Sequence, residues 1–161
     1  VQPYDWGWDH HGSSPGESVD ETLPIKCQQI DRAIAGLVKD LKQRGLFDET
    51  LIVWGGEFGR TPMMQNNVHK ELKKGFIGRD HHPHAFTMWM AGGGIKPGSY
   101  GSTDDIGYYI DENPMGIRDL QATILHQIGI DPHRFSFAYE GLNQRLIGPA
   151  EEGRVVKEII S

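Results

Sequence analysis

The run Leu51-Ile52-Val53-Trp54-Gly55-Gly56-Glu57-Phe58-Gly59-Arg60-Thr61-Pro62 decides how this chain is read. Four consecutive apolar residues, set off by Asp48-Glu49-Thr50 before and two glycines after, predict a strand buried on both faces, as in a parallel sheet. In open α/β sheets ligands bind beyond the carboxyl ends of the strands, so Glu57 and Arg60 emerge where a site would be. Glycine lets backbone approach a ligand closely, and a guanidinium can grip an oxyanion with two parallel hydrogen bonds. A glycine-rich turn with a surface ion pair is the competing reading. An acid and an arginine placed so directly after a buried strand favour a site.

On the upstream side, Leu23, Cys27, Ile30, Ala33, Ile34, Leu37, Val38 and Leu41 recur at three- and four-residue steps, which predicts an amphipathic helix from about Asp20 to Arg44. Pro24 fits a first turn, Gly45-Leu46 fits a C-terminal cap, and Gly36 suggests close packing against a covered sheet. Further upstream lies Tyr4-Asp5-Trp6-Gly7-Trp8-Asp9-His10-His11-Gly12. Carboxylate and neutral imidazole are both good cation ligands, and flanking tryptophans exclude water. If the segment is extended, Asp9 and His11 point the same way and can converge on one ion. A hydrogen-bonded turn is the alternative.

Downstream, three of the eight histidines and one aspartate fall within the five residues Asp80-His81-His82-Pro83-His84. They lead into Ala85-Phe86-Thr87-Met88-Trp89-Met90, which reads as a buried strand. Imidazoles at the mouth of a rigid element suit metal binding, although no zinc-finger spacing is present and a solvated polar turn competes. Asn66-Asn67 and the basic run from Lys70 to Lys74 read as a solvated connection or a lid over an anion. Ala91 to Gly98 is a structural turn, and Asp104-Asp105 a turn rather than a calcium site. Ile117, Leu120, Ile124, Leu125 and Ile128 predict a second helix ending near Gly129, while Phe135–Tyr139 and Val155–Ile160 look strand-like. His126 and His133 read as structural.

The 161 residues fit a single domain, and 37% hydrophobic content allows a real core. No apolar run approaches the roughly 20 residues that span a bilayer. A formal charge of −6 with dispersed basic residues argues against nucleic-acid binding. The one cysteine, Cys27, excludes an internal disulfide. Val1-Gln2-Pro3-Tyr4 shows no signal-peptide pattern and reads as the end of a strand, which suggests a piece of a longer protein.

Several of these segments together resemble a family. Gly7-Trp8-Asp9-His10-His11-Gly12, Leu37 to Leu46, Trp54 to Thr61, Gly78-Arg79-Asp80-His81-His82, Phe86 to Gly98, Asp119 to Leu125 and Val155 to Ile159 are similar to the sulfatase-like domain-of-unknown-function family 1501 of the alkaline phosphatase superfamily. The resemblance implies that residues 1–161 are the C-terminal portion of a three-layer α/β/α sandwich that hydrolyses sulfate or phosphate esters. It implies a divalent metal, zinc first, with manganese, calcium or magnesium as alternatives. Asp9, His11, Glu57, Asp80, His81 and His82 would be the metal ligands, and Arg60 would steady developing anionic charge. Phe58 departs from the superfamily pattern at a position of paired histidine, and the nucleophile would belong to a preceding segment. The expected partners are a small anionic ester and the N-terminal remainder of the parent chain, in an exported or periplasmic bacterial protein. This portion alone would be inactive. A catalytically silent metal- or glycan-binding module is the alternative function.

Overall fold

The computed structural model describes residues 7–13, 15–65, 76–149 and 153–161. Val1-Gln2-Pro3-Tyr4, the aromatics Tyr4 and Trp6, Asn66-Asn67 and the basic run Lys70–Lys74 lie outside the described residues. In chain order the elements are helix α1 (Val19–Gln43), strands β1 (Ile52–Trp54), β2 (Gly59–Arg60), β3 (His81–His82), β4 (Trp89–Ala91), β5 (Ser102–Thr103) and β6 (Ile110–Glu112), helix α2 (Ile117–Gln127), and strands β7 (Phe137–Tyr139) and β8 (Leu142–Gln144). Single 3-10 turns occupy Pro15–Glu17, Phe47–Glu49 and Lys157–Ile159.

The expected three-layer α/β/α sandwich is not what the chain forms. The strands make four two-stranded sheets, β1 with β4, β2 with β3, β5 with β6 and β7 with β8. β1 pairs antiparallel with β4, in the register Ile52 to Ala91 and Trp54 to Trp89. A strand buried on both faces needs layers above and below it. Here Val53 is 37% and Trp54 40% exposed, and the Trp54 ring stacks on Trp89 across the ladder. The apolar run 51–54 therefore forms a short antiparallel ribbon, an outcome that hydrophobicity alone does not separate from a central strand.

Two compact units result. One comprises Val1–Leu46, Gly55–Met88 and Thr103–Tyr109; the other comprises Phe47–Trp54, Trp89–Ser102 and Ile110–Ser161. In the first, α1 follows the expected periodicity and stops as expected, with Gly45 at φ +71° and the Leu46 N–H donating to the Leu41 carbonyl. Pro24 is the sixth helical residue, one turn later than its sequence context suggested. Among the described residues the helix covers no sheet. None of its residues is buried, Leu37 is 49% exposed, and a Cβ at Gly36 would meet nothing within 4 Å. The buried positions of this unit, among the described residues, are instead polar or small: His10, Gly12, Ser18, Gly78, His82 and Ala85.

The second unit holds an apolar centre of Ala122, Leu125 and Ile147, with Ile130 and Val155 packed against it. α2 supplies it through its Leu120-Ala122-Thr123-Leu125 face. The Asp119 carboxylate accepts from the Gly116 and Arg154 N–H groups, and Thr123 Oγ1 accepts from the Val156 N–H, so the helix start and the chain's last segment are tied together. The glycine run is the structural turn it resembles: Gly92, Gly93 and Gly94 all have positive φ, and a Cβ at Gly92 would lie 2.3 Å from the Thr50 carbonyl oxygen. Val155–Ile160 is irregular chain around the 3-10 turn Lys157–Ile159 rather than a strand, joined to Ile95 by a single bridge at Ile160.

Candidate metal centre

The centre lies in the first unit and is built by backbone crossing. Segments 10–12 and 77–79 run against each other, with the Arg79 N–H donating to the His10 carbonyl at 3.0 Å. A Cβ on Gly78 would lie 2.0 Å from the His11 oxygen, and one on Gly12 2.5 Å from the Gly78 nitrogen, so only glycine permits the crossing on either side. Gly12 also has φ +72°. Ser18 adds to the dock by accepting the Ile77 N–H at its hydroxyl, and the Val19 N–H donates to the Ile77 carbonyl.

β2 and β3 then set side-chain direction. Gly59 faces His82 and Arg60 faces His81 in an antiparallel register, which Thr61 extends by donating to the Asp80 carbonyl. Opposite residues share a face and neighbours alternate, so Arg60 and His81 point one way and His82 the other. That alternation separates the two histidines that the sequence left undivided. His82 is buried, donates from Nε2 to the Tyr108 carbonyl at 2.6 Å, and packs on the Tyr108 ring. Asp104 holds that loop by accepting the Tyr108 and Tyr109 N–H groups, and these hydrogen bonds, Tyr108 first, keep its carboxyl below the usual range.

On the other face, one oxygen of Asp9 gathers three side chains. Oδ1 lies 2.6 Å from Arg60 Nη2, 2.9 Å from His81 Nε2 and 3.0 Å from His11 Nε2. The hydrogen bond from His81, then that from Arg60, holds the Asp9 carboxyl far below the ordinary range, against a smaller opposing effect of burial. Asp9, His11 and His81 are the one group among the described residues whose ligand atoms, all within 4.8 Å of one another, could hold a metal ion. Glu57 is exposed and outside this group. Asp80 is exposed too, and its carboxylate accepts the His81 N–H.

The donor set suits a divalent ion. Two imidazoles and one carboxylate are the ligands of several catalytic zinc sites, which leave a further position open. His11 Nδ1 is 2.7 Å from Gln65 Oε1, so it carries its proton there and directs Nε2 at Asp9. An Nε2 facing a carboxylate oxygen at 3.0 Å needs either a proton or a cation between them. Arg60 also donates to the Arg79 carbonyl, which orients its guanidinium beside the carboxylate. Phe58 packs its ring on His81, at 4.2 Å between centroids. Neither Gln65 nor Phe58 could be singled out as a supporting residue from sequence, since only folding brings Gln65 to His11 across 54 positions. His10, between the candidates Asp9 and His11, is buried with Nε2 unpartnered among the described residues; burial, then the charges of Arg60 and Lys26, pushes its pKa below the ordinary histidine value.

Comparison with known proteins agrees with the family resemblance. A family model described as "Protein of unknown function (DUF1501)" matches residues 1–160. The lipoteichoic acid synthase of Staphylococcus saprophyticus subsp. saprophyticus is 28% identical over 123 residues, which is 74% of this chain and 17% of that protein. The chain thus spans about one sixth of that curated relative's length. No solved structure matches the chain. Among the described residues no helix is long and apolar enough to cross a membrane.

Proposed function

The chain belongs to the DUF1501 family, and from that premise we propose that it carries the metal-binding part of a hydrolase acting on small phosphate or sulfate esters. The observation that supports this most is the convergence of His11 Nε2, His81 Nε2 and Asp9 Oδ1 from segments 72 positions apart. Asp9, His11 and His81 would hold the ion, with zinc preferred because imidazole-rich donor sets suit it. The ion would polarise the ester and favour ionisation of the attacking oxygen.

The chain's own side chains have distinct tasks. Gln65 fixes the His11 tautomer, so that a lone pair and not a proton is turned to the ion. Arg60, at 2.6 Å from Asp9, keeps further N–H groups that can meet an anionic oxygen beside the centre. Of the other candidate ligands, Glu57 and Asp80 are peripheral to the ion and His82 is a loop anchor. The nucleophile belongs to a part of the parent protein outside these residues, so the 161-residue chain is inactive alone. In support, Thr61 donates its hydroxyl proton to the Met63 carbonyl, an acceptor too weakly basic to activate it as a nucleophile. An exported bacterial parent is part of the same reading.

The test is zinc titration by calorimetry of the purified chain and of its Asp9→Ala and His81→Ala variants, followed by assays on phosphate and sulfate esters. Stoichiometric zinc lost in both variants supports the centre; zinc retained in both removes it. Metal-dependent turnover by this chain alone would overturn the missing nucleophile. The second reading, a silent binding module, is favoured by the engagement of Arg60 with both Asp9 and the Arg79 carbonyl. Ester binding without turnover in the parent protein would select it.

A further inference from the structure

We propose that Phe58 is a positioning residue of this centre: its ring fixes the direction of the His81 imidazole and seats the Arg60 guanidinium, so that both reach Asp9. The inference rests on the metal-binding reading and adds to it a residue with no donor atom.

The two histidines of the centre are held in different ways. His11 is oriented through its second nitrogen, by Gln65 at 2.7 Å. His81 has no such partner: among the described residues no hydrogen bond reaches its Nδ1, and its side chain is 43% exposed. An exposed imidazole on a two-residue strand would otherwise turn about its Cβ–Cγ bond and carry Nε2 away from the carboxylate. Ring packing takes the place of the hydrogen bond. The His81 ring contacts Phe58 at 4.2 Å and 38° between planes, and His11 at 4.9 Å and 52°.

Phe58 acts on Arg60 as well. Phe58 sits in the bend just before β2, and Arg60 Cζ lies 5.7 Å from its ring centroid, within cation–π range. The intervening Gly59 fixes this platform in place. A Cβ there would come 2.3 Å from the Ala85 carbonyl oxygen and 2.8 Å from the Phe86 Cβ, so the segment bearing Phe58 is pressed against the turn after β3. One aromatic ring thus sets the aim of two of the three groups on Asp9 Oδ1.

The test uses Co²⁺ as the probe, in wild type and in Phe58→Tyr, Phe58→Leu and Phe58→Ala, with circular dichroism to confirm folding. Phe58→Tyr keeps the flat face and is expected to bind within about threefold of wild type. Phe58→Ala and Phe58→Leu are expected to bind about 10- to 100-fold more weakly, the range for losing an orienting partner of a ligand, with altered visible absorption of the bound ion. Folded Phe58→Leu with unchanged affinity and spectrum overturns the inference. A metal-free measurement separates its failure from failure of the metal reading. In wild type, nuclear Overhauser contacts are expected between the Phe58 ring and the His81 Hδ2 and Hε1 protons, with His81 ring signals that broaden in Phe58→Leu. If wild type takes up no Co²⁺ but shows these contacts, the metal reading fails and the positioning stands. If the contacts are missing, the positioning is wrong whatever the metal result.

Discussion

Arg60 and His81 sit directly opposite each other on β2 and β3, and both reach the same oxygen of Asp9, at 2.6 and 2.9 Å. A cation on that oxygen and the guanidinium beside it are therefore neighbours, and like charges at such range repel. Arg60→Gln is expected to tighten zinc binding severalfold while weakening the affinity of the zinc-loaded protein for inorganic phosphate. Calorimetry of both ligands reads the two effects, and a variant that loses zinc would show that Arg60 supports the centre instead of competing with it.

The adjacent histidines should separate under mutation. His81→Ala is expected to cost at least about 100-fold in zinc affinity, since loss of a ligand exceeds the loss of an outer partner, and to lower stability less than His82→Ala, because its bond to the half-exposed Asp9 is screened by solvent. His82→Ala removes a buried ring and its hydrogen bond to Tyr108, at a cost of about 2–4 kcal/mol in unfolding free energy. Urea denaturation alongside metal titration distinguishes them, and equal effects of the two changes on metal binding would refute the alternation of faces.

Glycines at two places should answer oppositely to the same methyl group. Gly36→Ala, in a helix with nothing within 4 Å of the new atom, is expected to stabilise by about 0.5–1 kcal/mol. Gly78→Ala pushes a methyl into the His11 carbonyl and is expected to destabilise by about 1–3 kcal/mol or more and to abolish metal binding. Thermal melts and metal titration give both answers.

Acid should act on the centre through Asp9. Its carboxyl is depressed in the folded state, chiefly by the hydrogen bond from His81 and then by Arg60, from an ordinary value of 3.8. The contribution to stability is complete above that value and is lost as pH falls below it toward the folded pKa. Asp9→Asn should therefore flatten the fall in stability below about pH 4, most clearly at low salt because the side chain is 55% exposed. An unchanged acid limb in urea melts at pH 2 to 5 would remove Asp9 as its source.

Local pattern carried far in this chain, and pairing did not. The bounds of α1 and α2 were legible because periodicity and glycine stops act within a few residues, and Asp9, His11 and His81 were legible as metal-binding types. The layered sheet failed because Leu51-Ile52-Val53-Trp54 reads the same whether its partner lies parallel on both sides or antiparallel on one, as β4 does. The Val155–Ile160 strand failed similarly, since β-branched residues also suit an extended tail with one 3-10 turn. His81 could be told from His82 only once the register with Arg60 existed. Gln65 and the Gly12–Gly78 crossing left no local mark, because each acquires its task from a segment more than 50 positions away.

That crossing also bears on time. Asp9 and His81 can meet only after some 70 residues have been looped back, an entropic step that precedes any reward from the contacts it permits. The centre is therefore expected to assemble late in its unit and to open early, which hydrogen exchange at the His81 amide would read. Whatever binds the closed arrangement alone will raise the melting point in proportion to the logarithm of its concentration, and will slow opening more than it speeds folding.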